Sequence, residues 1–154
     1  MSTNVTSISS VRPKEFHFPV AVEWTGGRRV KAEVEGKQPV EICPPFVFSG
    51  RDETTWSPED FLVAAAASCL AVTFTGIAKR AGLEYDRLAV DADGVCSQRP
   101  DGGFGFTSLW LRLEIDTAAD PDRARELAER AEASCLVAES LDVPIATTIL
   151  VNGH

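Results

Sequence analysis

Cys43, Cys69, Cys96 and Cys135 are the residues of this 154-residue chain best suited to covalent chemistry. A thiolate is a nucleophile, and it can be oxidised and reduced again. No two of the four stand in CxxC spacing, and His17 and His154 are the only histidines. A zinc centre of paired cysteines and histidines is therefore not expected, nor any other metal or cofactor. Cys69 lies at the centre of "SPEDFLVAAAASCLAVTFTGIAKRAGL", Ser57 to Leu83, the most hydrophobic stretch of the chain. Cys135 falls on the apolar stripe Ala124, Leu127, Ala128, Ala131, Cys135 and Ala138 of a second expected helix. Both can face one interior. A buried cysteine is also an ordinary small hydrophobe, and spacing alone does not choose between the two readings. Cys43 abuts Pro44 and Pro45, and Cys96 lies on the Leu88 and Val90 side of its strand, so both read as structural.

The elements that must position these thiols follow from periodicity and punctuation. "FHFPVAVEW" (16–24) puts Phe16, Phe18, Val20, Val22 and Trp24 on one face, a half-buried strand that Pro19 confines to an edge. "TGG" is a turn, and "RRVKAEVEG" completes a hairpin. In that strand Arg28 shares its face with Val30, Ala32 and Val34, whereas Arg29 shares the solvent face with Lys31 and Glu33. An inward arginine needs a partner, which makes Arg28 the better site candidate; a solvated turn arginine is the alternative. "PVEIC" is a third strand, and 46–56 reads as a loop.

Ser57 suits an N-cap, Pro58 the first helical position, and Gly82 a left-handed stop. The 24 residues between them span roughly 36 Å. They are apolar nearly all round, so the helix should be covered on most sides. "DRLAVDADGVCSQR" and "FGFTSLWLRLEID" form a second hairpin, with Leu109, Leu111, Leu113 and Ile115 on one face. Asp120 and Pro121 start the second helix, and "PIATTILV" is the closing strand. The order βββαββαβ predicts an α+β domain over 15–154, mostly antiparallel sheet wrapped on a central helix, after a mobile segment 1–14.

Hydrophobic residues at 44% and charged residues at 25% are ordinary for a globular chain. A net charge of −8 argues against nucleic acid as the main partner. The N-terminus has no apolar secretory core, and the apolar helix is interrupted by Ser, Thr, Gly, Lys and Arg. A core helix rather than a membrane span is expected, in a cytoplasmic protein.

"SPEDFLVAAAASCLAVTF" resembles the hallmark helix of the OsmC/Ohr superfamily, the osmotically inducible and organic hydroperoxide resistance proteins: S/N-P-E-x-L, small residues, then a cysteine ten residues after the Glu. Glu59 and Cys69 have that separation. "EASCLVAESL" resembles the region of the family's second cysteine, and "TGGR" (25–28) the T-G-G-R of its organic hydroperoxide branch. The resemblance covers about residues 15–152 and includes the strand order. It implies reduction of organic hydroperoxides, with Cys69 peroxidatic and Cys135 resolving, and with a dithiol, the lipoyl type among the candidates, as reductant. It also implies a homodimer with its sites at the subunit interface. Arg28 would supply the cation that lowers the Cys69 pKa, because Cys69 is too far into its own helix to feel its N-terminus. Glu59 would orient Arg28 by a bidentate pair. Ten residues of helix separate Glu59 and Cys69 by about 15 Å, so either Arg28 and Glu59 act on the partner's Cys69 or the helix is broken; the interface sites that the resemblance implies favour the first. The peroxidase branches carry Pro directly after the second cysteine; here Leu136 stands there. The resemblance therefore also admits a non-catalytic dimer that binds an apolar ligand at its interface.

Overall fold

The computed structural model describes residues 14–50 and 52–154. The first thirteen residues of the expected mobile segment lie outside them. β1 (Ala21–Gly26), β2 (Arg29–Glu33) and β3 (Val40–Ile42) form one antiparallel sheet in that order. β1 starts later than the alternation predicts. Residues 16–20 join no strand, since Pro19 has no N–H to give a ladder. β1 also runs through Gly26, so the turn is Gly27–Arg28, and Thr25 is the extra residue of a bulge between Trp24 and Gly26.

The register aligns Val22 with Ala32 and Val40, and Trp24 with Val30 and Ile42. One face of this sheet is therefore apolar across all three strands. Little among the described residues covers it: Val22 is 62% exposed and Trp24 69%.

A short 3-10 turn, Phe46–Phe48, leads to α1 (Pro58–Ala81). The ends of α1 are where local chemistry puts them. Ser57 and Asp60 form a reciprocal capping box, Pro58 opens the first turn, and Gly82 stops the helix at φ 66°. Ala66, Leu70, Phe74, Ile77 and Ala78 are buried along one side. Fully burying a side chain such as Leu70 or Phe74 contributes about 1.5–3 kcal/mol. The opposite side is bare at Ala65, Ser68 and Val72, with Val72 69% exposed.

β4 (Arg87–Gln98) and β5 (Phe104–Thr117) form the second hairpin, and β6 (Ile145–Gly153) adds to β5 in parallel. A parallel neighbour needs a crossover, supplied by α2 (Pro121–Glu132) and the one-turn α3 (Leu136–Glu139). The expected face of β5 is the core face: Leu109, Leu111, Leu113, Ile115 and Thr117 are buried in alternation. Ala124, Leu127, Ala128 and Ala131 of α2 close over it, with α1 alongside.

The fold class and element order agree with the sequence reading. The second helix does not. α2 ends at Glu132, and Cys135 is not on its stripe. Cys135 is extended (φ −74°, ψ 99°) and caps α3 instead. The break turns the Cys135 side chain onto α1, where its thiol donates weakly to the Ala66 carbonyl at 4.0 Å.

Candidate active site

Cys69 is half-buried on α1, on the side that faces α3. Cys135 is 1% exposed. All four cysteines are free, and the structure brings these two together. Burial pushes the Cys69 thiol up. The N–H of Val137, the Cys135 thiol, the Thr73 hydroxyl and the N–H of Leu136 outweigh it, and the pKa falls below the usual thiol value. For Cys135 burial raises the pKa, and the neighbouring Cys69 raises it further. Cys69 is therefore the more acidic thiol of the pair and Cys135 the less acidic.

The cation expected from the partner's Arg28 lies outside a single chain; the groups that lower the Cys69 pKa here are neutral. Neutral donors from the broken second helix and from Thr73, one turn along α1, already lower its pKa within one chain. The break frees the first N–H groups of α3, which a continuous helix would have bonded to its own carbonyls. Leu136 contributes one of them; a proline at that position has no N–H to offer.

The other two predicted site residues lie elsewhere. Glu59 opens from the first turn of α1 into a groove of about 1370 Å³ between α1, β4 and residues 45–57. One of its carboxylate oxygens is buried with no hydrogen-bond partner among the described residues. Val63, Phe48, Phe104 and Phe106 are among the apolar groups of that groove, and Cys96 lies in its wall. Arg28 is exposed in the turn, outside β2, so strand phase does not turn it inward as expected. Its guanidinium donates to the Phe48 carbonyl at 2.8 Å, which holds it at the groove's rim. Arg28 and Glu59 form no ion pair within the chain.

Arg29, read as solvated, is half-buried and paired with Asp52 at 2.6 Å. Its face does carry Lys31 and Glu33, but residues 52–55 cover it at that point. Sequence reasoning missed Thr73, Val137 and Asp52. Thr73 alone had a local signal, its four-residue spacing from Cys69 on α1. Cys43 is buried, with its thiol against the Asp52 and Thr55 carbonyls, and His17 is exposed.

A long capped helix bearing one cysteine, a second cysteine at the break of the crossover helix, and two sheets around them define an α+β protein with a thiol pair in its core. The chain belongs to the OsmC-like protein family, whose sequence profile matches residues 50–149. It is 26% identical over 133 residues to the uncharacterised protein YmaD of Bacillus subtilis, covering 82% of this chain and 87% of that one. The fold is that of an OsmC-like protein of unknown function from Vibrio cholerae (TM-score 0.78, 20% identity, 88% of this chain and 100% of that one). It is also that of an organic hydroperoxide resistance protein from Elizabethkingia anophelis (TM-score 0.74, 21% identity, 93% and 100%).

Proposed function

We propose that this protein is a thiol-dependent peroxidase that reduces organic hydroperoxides as a homodimer. The observation that carries this reading is the Cys69–Cys135 pair, a thiolate-prone sulfur beside a buried neutral thiol. The Cys69 thiolate attacks the distal peroxide oxygen. The O–O bond breaks, the alkoxide leaves and takes a proton as the alcohol, and Cys69 becomes a sulfenic acid. The Cys135 thiol condenses with it, a disulfide forms and water leaves. A dithiol then reduces the disulfide and is itself oxidised. No metal or cofactor enters the scheme.

Two features support the dimer. Among the described residues, the apolar face of the first sheet and the bare side of α1 both lack a cover, and contiguous apolar surface of that kind marks an interface. The orphaned Glu59 oxygen and the rim-held Arg28 share one groove without meeting. A second copy seated there would bring its Cys69 to them, Arg28 steadying the peroxide oxygens and Glu59 orienting Arg28.

The test is consumption of cumene hydroperoxide by the purified protein with dithiothreitol. Loss of many equivalents of peroxide per protein that disappears in Cys69→Ser supports the assignment, and no consumption by the wild type overturns it. The apolar groove favours a second reading, a non-catalytic dimer that binds an apolar ligand there. Saturable binding of a fatty acid without peroxide turnover would select it.

A further inference from the structure

Two arginines stand side by side at the first hairpin, and only Arg28 enters the chemistry above. Arg29 is the more firmly held. Its guanidinium donates to Asp52 Oδ2 at 2.6 Å and to Thr55 Oγ1 at 3.4 Å, and it lies 3.7 Å from Glu41. Asp52 is saturated from its own side. Oδ1 accepts from the Thr54 N–H at 2.9 Å and the Thr54 hydroxyl at 2.6 Å, and Oδ2 also accepts from the Thr55 hydroxyl at 2.8 Å. The same loop is stitched to β3 by the bond from Cys43 N–H to the Trp56 carbonyl at 3.0 Å.

A lone surface ion pair holds little. Here one carboxylate is fixed by four contacts with defined directions, so the orientation is set as well as the attraction. Lys31 and Glu33, on the same strand face, pair at 2.8 Å within their own strand and join nothing. The Arg29–Asp52 pair joins two segments far apart in the chain. One carries Arg28 a single residue away. The other runs directly into the Ser57 cap and Glu59. Phe48, whose carbonyl receives Arg28, belongs to the same loop. Packing inside that loop is tight as well: a Cβ at Gly50 would collide with the carbonyl oxygens of Pro44 and Pro45.

We propose that Arg29 and Asp52 form a positioning clip that holds the segments presenting Arg28 and Glu59 in one fixed relation, so that both reach the partner's thiol in a single geometry. The proposal rests on the peroxidase reading. The clip touches no reacting atom; it acts through Arg28.

The experiment compares kcat/KM for cumene hydroperoxide, and the melting midpoint, in wild type, Asp52→Asn, Thr55→Val, Arg28→Ala and the Arg28→Ala/Asp52→Asn double variant. Asp52→Asn should lower kcat/KM by about tenfold or more, because misplacing a positioned group is costly to rate. Thr55→Val, which removes one strut of the clip, should lose less, and Asp52→Glu should recover part of the loss. The double variant should be no slower than Arg28→Ala alone, since a clip acting through Arg28 has nothing left to position. A merely structural role would multiply the two losses. A wild type that turns over with an Asp52→Asn variant within about twofold of it, or losses that multiply in the double variant, overturns the clip and leaves the peroxidase reading standing. A wild type without turnover overturns both. If Asp52→Asn fails to fold, Thr55→Val alone and combined with Arg28→Ala carries the same comparison.

Discussion

The Cys135 thiol neighbours the Cys69 sulfur, and the two groups shift in opposite directions: Cys69 down and Cys135 up. One sulfur is set to attack and the other to wait protonated. One equivalent of organic hydroperoxide should therefore produce an intramolecular Cys69–Cys135 disulfide, read by peptide mapping under non-reducing conditions. In Cys135→Ser the oxidised protein should carry a sulfenic acid at Cys69 that a dimedone-type probe traps. A link between Cys43 and Cys96, or none at all, would reject the assignment.

The shifts also predict a pH profile. Alkylation of Cys69 should reach half its maximal rate at a lower pH than an ordinary thiol, and alkylation of Cys135 at a higher one. Thr73→Val should move the Cys69 midpoint up, because it removes a donor to the thiolate. The stability linkage has matching signs. The depressed Cys69 pKa contributes stability that is present above the unfolded thiol value and lost as pH falls through the folded one. The raised Cys135 pKa contributes stability that is present below the unfolded value and lost as pH rises through the folded one. Coincident midpoints for the two cysteines, followed by mass spectrometry, would sink this account.

The parts of the fold that could be read from the chain are those decided locally. Ser57, Pro58 and Gly82 mark the ends of α1 through caps that involve only near neighbours. The alternation of Leu109 to Ile115 names the core face of β5 without reference to any partner. The break after Glu132 has no such mark. Ala133 and Ser134 are compatible with helix, and Cys135 and Ala138 continue the apolar spacing. What ends the helix is the burial of Cys135 against Ala66, distant in sequence. The phase of Arg29 was legible too, since it does share its face with Lys31 and Glu33; Asp52, which covers it, was not. The parallel pairing of β6 was equally hidden, because alternation looks the same in either direction.

The capping box gives a prediction about stability alone. Ser57 is 1% exposed, its Oγ accepts the Asp60 N–H at 3.1 Å, and its own N–H donates to Asp60 Oδ2 at 2.8 Å. Ser57→Ala should destabilise the fold by about 1 kcal/mol. In a chain of this size that lowers the melting midpoint by about 2–4 °C. Calorimetry of the two proteins at equal concentration checks it, and an unchanged midpoint would show that the cap is dispensable.

The assembly itself can be tested by mixing subunits. If Arg28 of one subunit serves Cys69 of the other, an Arg28→Ala homodimer and a Cys69→Ser homodimer are each impaired, the first because every thiol lacks its arginine and the second because every site lacks its thiol. Unfolding them together and refolding gives heterodimers in which one site holds an intact Cys69 from the first subunit and an intact Arg28 from the second. The other site holds both defects. Random pairing in a two-fold dimer makes half the dimers mixed, each with one of its two sites whole, so peroxide turnover should recover to about a quarter of the wild-type level. Were Arg28 to act on the thiol of its own chain, no mixed dimer would contain a whole site and mixing would recover nothing. Sedimentation of the mixture confirms dimers in either case. A Trp24→Glu or Val72→Glu change, which charges the bare sheet face or the bare helix side, should yield monomers without turnover. A stable, fully active monomer of the wild-type protein at micromolar concentration would remove the interface from the mechanism.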